Sequence, residues 1–348
     1  MAAGGPRPDL RGAAAARGGG GGRRGRGGSG GAVSLHILVA ADVEPRHLEA
    51  IRATAPGLAV EHTADRARLL ALAPTADVIV GWNVPPEVVR RAERLRWIHS
   101  TAAGVDQLLF PELLQREVLL TSSSGIHAEP LSEHVLGVLL MLSRRLHIAV
   151  RQQLARRWDR RTVLGDELGG KTLGILGLGA IGRAIAERAR VFGMRVIGTR
   201  RSGAPVPHVE QVFPPEGLDE VLRRSDVLVV VLPLTPATRG LIGARELALL
   251  PPGAFLINVG RGAIVQEAAL VDALRAGRLA GAALDVFEQE PLPPESPLWD
   301  LPQVIITPHV SGTTPRYYDR AIPLFCENLR RFLRGDPLLN VVDRERGY

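Results

Sequence analysis

Short apolar runs alternate with amphipathic stretches along the chain from Val33 onward. The apolar runs of the first third predict strands at 36–40, 58–61, 76–80, 96–99 and 118–121. Helical periodicity predicts helices at 45–54 and 65–71, and residues 88–94 continue the alternation. Because strands that alternate with helices form a parallel sheet covered on both faces, this pattern predicts an α/β fold.

One long helix is predicted next, at 130–147, and it leads into a polar, arginine-rich arm at 151–161. A second alternating series follows, with strands predicted at 173–176, 196–198, 227–232, 255–259, 282–286 and 304–307. Its helices are predicted after residue 182 and at 218–224, 267–276 and 315–334. The sequence therefore predicts two β/α systems, one before residue 121 and one from about 128 to 303, with the last helix returning to the first system.

The segment 172–201 joins two of these strands through a glycine-rich turn. Its sequence GLGAIG (177–182) lies between a strand and a helix, as in a dinucleotide-binding fingerprint. We expect Gly177 to allow the tight turn, Gly179 to let the backbone approach a pyrophosphate, and Gly182 to let helix and strand pack closely. The free N–H groups at the start of that helix would bind the phosphates. A glycine turn alone is a weak signal, but here its flanking elements lie where the mechanism needs them.

Groups with acid–base or anion-binding chemistry follow the late strands. Arg261 comes just after the strand predicted at 255–259, an acidic turn with Glu288 and Glu290 follows the next strand, and His309 follows the last one. A guanidinium binds a carboxylate, an imidazole exchanges a proton near neutral pH, and a carboxylate orients the imidazole. Each group alone has an ordinary structural explanation. Their joint placement at consecutive strand ends indicates hydride transfer on a 2-oxo or 2-hydroxy acid.

The composition is that of a globular protein, with 45% hydrophobic and 23% charged residues among 348. Residues 1–32 carry six arginines against Asp9 alone, which is +5 of the total charge of +7, so the rest of the chain is almost neutral. This distribution argues against nucleic-acid binding by the folded part. The single cysteine, Cys326, excludes an intrachain disulfide and fits a reducing, cytoplasmic environment. Residues 1–32 lack large apolar side chains, so we expect a disordered Gly/Arg-rich tail.

Six motifs are similar to those of the NAD(P)-dependent D-isomer-specific 2-hydroxyacid dehydrogenases, and together they span nearly everything from about residue 34. They are SGIHAEPLSEHVLG (124–137), GKTLGILGLGAIGR (170–183), LPLTPATRGLIG (232–243), INVGRG (257–262), GAALDVFEQEPLP (281–293) and TPHVSG (307–312). The resemblance implies a flavodoxin-like substrate (catalytic) domain at 33–127 plus 304–348. It implies a doubly wound Rossmann domain for NAD(P) at 128–303, inserted between the two parts. It also implies a homodimer formed through the long helix and arm, here 130–158.

The same resemblance assigns roles to individual residues. The catalytic residues would be Arg261, Glu290 and His309, and no metal is expected. The substrate carboxylate would be bound by the backbone around Ala103, Gly104 and Val105, with Arg261 and His309 also contacting the substrate. The residues expected around the cofactor are Gly177, Gly179, Ala180, Ile181, Gly182, Thr199, Arg200, Arg201, Pro233, Val259, Asp285, His309 and Gly312.

One departure from the family pattern concerns the cofactor's ribose. Many NAD-specific members carry an acidic residue at the end of the second strand of this unit, whereas this chain reads Thr199-Arg200-Arg201-Ser202. Two guanidiniums and a hydroxyl offer charge-assisted partners to a 2′-phosphate. We therefore expect NADP(H) to be preferred over NAD(H). The alternative is that both arginines are solvated and merely stack on the adenine.

The predicted function is reduction of a small 2-oxo acid of the glyoxylate or hydroxypyruvate type by NAD(P)H. Trp82, Asn83, His127 and Tyr317 could shape the substrate pocket, although each could equally be a packing residue. We expect no appended regulatory domain after the last predicted helix, and a long-form phosphoglycerate dehydrogenase is therefore less expected. The alternative function is a dinucleotide-sensing, corepressor-like binding protein on the same fold.

Overall fold

The computed structural model describes residues 35–348, and the tail predicted at 1–32 lies outside the described residues. The first sheet has five parallel strands in the order β2-β1-β3-β4-β5. These strands are β1 (His36–Val39), β2 (Ala59–His62), β3 (Val78–Val80), β4 (Trp97–Ser100) and β5 (Leu119–Ser122). This order places β4 between β3 and β5, inside the sheet.

Helices cover both faces of this sheet, which explains why β3 and β4 are buried along their whole length. The helices that connect its strands are α1 (Pro45–Arg52), α2 (Arg66–Leu72), α3 (Pro86–Arg91) and α4 (Pro111–Leu114). The last helix of the chain, α11 (Tyr317–Arg334), buries Ile322 and Phe325 in one cluster with Ile37 and Trp97 of this sheet. The chain therefore returns to its first sheet after completing the second, as the sequence predicted.

The second sheet has seven parallel strands in the order β12-β11-β10-β9-β6-β7-β8. The strands are β6 (Thr172–Leu176), β7 (Arg195–Thr199), β8 (Gln211–Phe213), β9 (Val227–Val230), β10 (Ala254–Asn258), β11 (Leu279–Leu284) and β12 (Val304–Ile306). The connecting helices are α7 (Ala180–Val191), α8 (Leu218–Arg224), α9 (Ala244–Leu249) and α10 (Glu267–Arg275). This is the doubly wound arrangement that the sequence predicted. Strand β8 and helix α9 were not among the elements that the sequence predicted.

The predicted helix at 130–147 is two helices, α5 (Ala128–Ser143) and α6 (Leu146–Leu154). Arg145 between them has a φ of 53°, in the left-handed region, which interrupts the helical backbone. The first residues of the predicted polar arm thus belong to a helix. Prediction of one helix was wrong because the apolar pattern runs through the break without a glycine or proline to mark it.

The second sheet also ends later than the boundary drawn from the sequence. Strand β12 pairs with β11, so the sheet includes residues 304–306, which the sequence analysis gave to the substrate domain. The division into domains otherwise stays a prediction. Within residues 35–348, no helix is both long enough and apolar enough to cross a membrane.

Candidate active site

The order of the second sheet places beside one another the three strand ends that precede the predicted catalytic residues. Strands β10, β11 and β12 are neighbours, and Arg261, the 285–290 segment and His309 follow them in turn. The turn after β10 packs directly on the segment after β11, since a Cβ at Gly262 would lie 1.9 Å from the carbonyl of Phe287. The parallel topology therefore gathers these groups at one edge of the sheet.

Glu290 and His309 form a hydrogen-bonded pair. The Oε2 atom of Glu290 lies 2.7 Å from Nδ1 of His309, and its Oε1 accepts the backbone N–H of Phe287 at 3.0 Å. A carboxylate at Nδ1 leaves Nε2 as the nitrogen that can face a substrate. The structure thus brings together the predicted acid–base residue and the predicted carboxylate.

His309 has a φ of 52°, in the left-handed region that few residues other than glycine adopt. The surrounding loop fixes this conformation through Asp285, which is buried. The carboxylate of Asp285 accepts hydrogen bonds from Oγ1 of Thr307 at 2.6 Å and from the N–H groups of Val310 and Ser311, both at 3.0 Å. Asp285 therefore positions His309 by holding its loop, while its predicted contact with the cofactor stays a prediction.

Arg261 reaches across to the first sheet. Its Nε and Nη2 donate to Oδ1 of Asp106 at 3.2 and 3.0 Å, and its Nη1 donates to the carbonyl of Gly260 at 2.9 Å. The guanidinium also lies directly on Gly104, since a Cβ there would be 1.8 Å from Nη2. The predicted carboxylate-binding loop and the predicted catalytic arginine are thus in contact.

A cleft of ≈ 740 Å³ runs from this point to the glycine turn. The predicted residues that line it are Ala103, Gly104, Val105, Gly177, Gly179, Ala180, Ile181, Gly182, Thr199, Arg200, Arg201, Pro233, Val259 and Arg261. Asp285, Glu290, His309 and Gly312 lie outside that lining, in the adjoining loops. A smaller hollow of ≈ 280 Å³ lies at the opposite edge of the second sheet, around Thr172 and Arg195, and contains none of the predicted residues.

The glycine turn has the geometry of a dinucleotide cradle. Gly177 has a φ of 107°, and a Cβ at Gly182 would lie 2.1 Å from the Gly177 carbonyl oxygen, so both positions require glycine. A Cβ at Gly179 would meet nothing within 4 Å, which leaves open space over the first turn of α7. This is the space that an anionic pyrophosphate would occupy, because the first N–H groups of a helix have no acceptor within the helix and favour an anion there.

Arg200 and Arg201 follow β7 at the far end of the same cleft. The backbone of Arg200 pairs with Phe213, whereas the Arg201 side chain is exposed and donates from Nη1 to the hydroxyl of Tyr348 at 2.6 Å. The Arg201 guanidinium also lies 5.4 Å from the centroid of the Tyr348 ring. Two cations therefore border the part of the cleft where an adenosine ribose would lie.

His127 and Tyr317 lie near the substrate end, whereas Trp82 and Asn83 are exposed and line no part of the cleft. The rings of His127 and Tyr317 are 5.4 Å apart, and the Tyr317 hydroxyl donates to the Thr101 carbonyl at 2.8 Å. Burial, aided by the positive charges of Arg261 and Arg320, lowers the pKa of His127 to about 4. His127 is therefore neutral at physiological pH and adds no charge to the site.

Asp106 and Tyr348 line the cleft although the sequence analysis singled out neither. Asp106 lies two residues after the glycine of the Ala103–Val105 loop. That position alone did not identify Asp106 as a site residue, whereas its contact with Arg261 does. Tyr348 lies in a segment with no periodic pattern. Among residues 35–348, no group of three or more His, Cys, Asp or Glu side chains is arranged to hold a metal ion.

Comparison with known proteins gives one consistent family. The sequence profile described as "D-isomer specific 2-hydroxyacid dehydrogenase, NAD binding domain" matches residues 136–311. Glyoxylate reductase from Aeropyrum pernix is 40% identical over 266 residues, which are 74% of this chain and 79% of that protein. The structure of an NADPH-dependent glyoxylate/hydroxypyruvate reductase from Sinorhizobium meliloti, in complex with NADP and sulfate, matches with a TM-score of 0.80 and 34% identity. The match covers 90% of this chain and 100% of that one.

D-3-phosphoglycerate dehydrogenases are similar to the same extent but are longer. The one from Methanocaldococcus jannaschii is 35% identical over 77% of this chain, and the match covers 52% of that protein. The chain thus spans about half the length of these curated relatives. None of these three relatives supports the corepressor alternative.

Proposed function

Because the chain belongs to the D-isomer specific 2-hydroxyacid dehydrogenase family, we propose that it reduces a small 2-oxo acid to the 2-hydroxy acid, with NADP(H) as the preferred cofactor. The observation that carries this proposal is the contact between Glu290 and His309. These residues follow β11 and β12, and Arg261 follows the neighbouring strand β10. NAD(P)H, when bound, supplies the hydride for the C2 carbonyl. The protein's own residues must then bind an anion and deliver one proton.

Arg261 is the anion-binding group in this proposal. Its guanidinium lies over Gly104, so the backbone of that loop and the arginine can bind the same carboxylate. Charge on the carbonyl oxygen, which grows during reduction, is stabilised by the same guanidinium. Substrate orientation and polarisation would thus come from one contact point between the two sheets.

His309 is the proton donor, and Glu290 orients it. The hydrogen bond at Nδ1 holds the imidazole so that Nε2 carries the proton that passes to the carbonyl oxygen. The negative charge of Glu290 stabilises the imidazolium that exists before transfer. Asp285 contributes by fixing the loop in which His309 has its left-handed backbone.

Preference for NADP(H) is supported by Arg200 and Arg201, and by the NADP bound to the Sinorhizobium meliloti reductase. A guanidinium binds a phosphate with hydrogen bonds about twice as strong as neutral ones. We expect kcat/KM to be higher with NADPH than with NADH, and the double substitution of Arg200 and Arg201 by alanine to remove that difference. Arg190→Ala, which removes an exposed cation outside the cleft, is the matched control. A wild-type preference for NADH would refute this part of the proposal.

Glyoxylate and hydroxypyruvate are the proposed substrates. The reductases from Aeropyrum pernix and Sinorhizobium meliloti act on one or both of them according to their names, and both match most of this chain. A panel of 2-oxo acids, including 3-phosphohydroxypyruvate and longer aliphatic acids, would test this choice. Higher kcat/KM for the phosphorylated acid than for glyoxylate and hydroxypyruvate would overturn it.

We also propose that the protein is a homodimer formed through 130–158. Helix α6 and the segment after it expose apolar side chains, with Leu154 81% and Trp158 93% exposed. Exposed apolar surface of this kind is typical of a protein–protein interface. A second copy of the chain is the partner that the family resemblance implies.

A further inference from the structure

The hydrogen bonds of Arg261 leave a defined part of its guanidinium free. Arginine has five N–H groups, one on Nε and two on each terminal nitrogen. Asp106 accepts one from Nε and one from Nη2, and Gly260 accepts one from Nη1. The remaining two, one on Nη1 and one on Nη2, donate to no group among residues 35–348. Two donors on the terminal nitrogens match a planar ligand with two oxygen atoms.

The Asp106 contact differs from an ordinary surface ion pair. Exposed pairs contribute little, because water and salt screen them. Here the side chains of Arg261 and Asp106 are only 28% and 26% exposed, and both line the cleft. Two donors converge on the single atom Oδ1, which fixes the rotation of the guanidinium as well as its position.

The two partners also come from different sheets. Asp106 begins a short 3-10 helix, Asp106–Leu108, in the connection between β4 and β5, whereas Arg261 follows β10. Between them lies Gly104, whose missing side chain makes room for Nη2. A long arginine side chain in a cleft would otherwise adopt many rotamers, and ordering it costs free energy. The ion pair orders it before a ligand arrives.

We propose that Asp106 is a positioning residue for Arg261. It holds the guanidinium along the Nε–Nη2 edge so that the free N–H groups of Nη1 and Nη2 face the 2-oxo acid. This inference rests on the proposed function, because it concerns the site at which that substrate would bind. Asp106 itself does not contact the substrate. A different role, in which Asp106 occupies the position of the substrate carboxylate and must leave, predicts the opposite kinetic effect.

The test compares Asp106→Ala and Asp106→Asn with the wild-type protein. Asp106→Ala removes the ion pair that holds Arg261, and it should lower kcat/KM for glyoxylate about 10²-fold, because a reacting group misplaced by about 1 Å costs that much. The value of kcat should fall as well. Asparagine keeps an oxygen acceptor, so Asp106→Asn should recover most of that loss, with a deficit of ~10-fold or less, since a neutral hydrogen bond has roughly half the strength. Affinity for NADPH, measured by nicotinamide fluorescence, should be unchanged in both variants.

Asp219→Ala is the control for removing a carboxylate from an arginine ion pair, because Asp219 pairs with Arg245 at the surface, 3.0 Å from Nη1, and neither side chain lines the cleft. Its kcat/KM should equal that of the wild type. The Arg261→Lys background supplies a second test, since lysine lacks the two-donor edge that Asp106 holds. In that background Asp106→Ala should have little further effect, whereas a purely structural role would give the same loss in both backgrounds.

Three outcomes would overturn the inference while the proposed function stands. They are unchanged kinetics in Asp106→Ala, a lower KM with kcat preserved, and a loss in Asp106→Asn as large as in Asp106→Ala. If the wild-type protein reduced no 2-oxo acid at all, the proposed function would fail and the inference with it. The two failures are therefore distinguishable by the wild-type rate alone.

Discussion

Gly104→Ala should inactivate the protein without unfolding it. The added Cβ would lie 1.8 Å from Nη2 of Arg261, whereas non-bonded carbon and nitrogen atoms approach to about 3.5 Å, so the guanidinium must retreat by about 1.7 Å. Misplacement of about 1 Å costs on the order of 10²-fold in rate. We therefore expect kcat/KM for glyoxylate to fall by at least ~10²-fold, equivalent to about 3 kcal/mol of transition-state stabilisation.

The fold should tolerate this substitution. The atom that the Cβ meets is the end of a flexible side chain, so the free energy of unfolding should change by less than about 1 kcal/mol. Steady-state kinetics, urea unfolding and NADPH titration together separate the two effects. Gly169→Ala is the control, because a Cβ there meets its nearest atom, the Phe192 carbonyl oxygen, only at 3.9 Å. It should leave all three measurements unchanged.

A Gly104→Ala protein with wild-type kcat/KM would refute the reasoning, since Arg261 could not then act from the position described. A large loss of stability would show that the clash moves backbone instead of the guanidinium. In that case the kinetic loss could not be assigned to Arg261.

Three further predictions concern other parts of the molecule. His309→Ala should lower kcat by ~10²–10⁴-fold with NADPH affinity retained, and unchanged turnover in single-turnover assays would contradict its role as proton donor. Leu154→Asp should shift the molecular mass measured by light scattering from that of a dimer to that of a monomer, and an unaltered dimer would show that Leu154 does not lie in the interface. Burial lowers the pKa of His99 from 6.5 to about 3, so the unfolded state binds the proton first as pH falls. The stability that the neutral ring provides is complete above pH 6.5 and is lost as the pH falls toward 3. Between pH 7 and pH 5, His99 should lower the free energy of unfolding measured in urea by about 2 kcal/mol. A His99→Gln variant whose free energy of unfolding has the same pH dependence would contradict this.

The grouping of Arg261, Glu290 and His309 was predictable because the topology of the sheet dictates it, whereas their catalytic roles stay a prediction. In a parallel sheet, residues that follow neighbouring strands meet at one edge, so Arg261, Glu290 and His309 could be grouped from sequence order and strand pattern alone. The glycine turn was predictable for a similar reason, since Gly177 and Gly182 serve a local backbone geometry.

Contacts that depend on packing between distant segments were not predictable. Asp106 and Arg261 are 155 positions apart, and nothing in the local sequence of either residue indicates the other. The loop-holding role of Asp285 likewise depends on how 307–311 folds over it. The break at Arg145 was missed because an arginine in the left-handed conformation leaves the apolar periodicity intact.

In the proposed function, this site transfers a hydride from NADPH to C2 of a 2-oxo acid. The most direct measurement uses NADPH dideuterated at C4 of the nicotinamide, incubated with hydroxypyruvate and the wild-type protein. Mass spectrometry and chiral chromatography should detect the D-isomer of the hydroxy acid with one deuterium at C2. Binding of NADPH without any labelled hydroxy acid would contradict the claim and leave only a dinucleotide-binding protein.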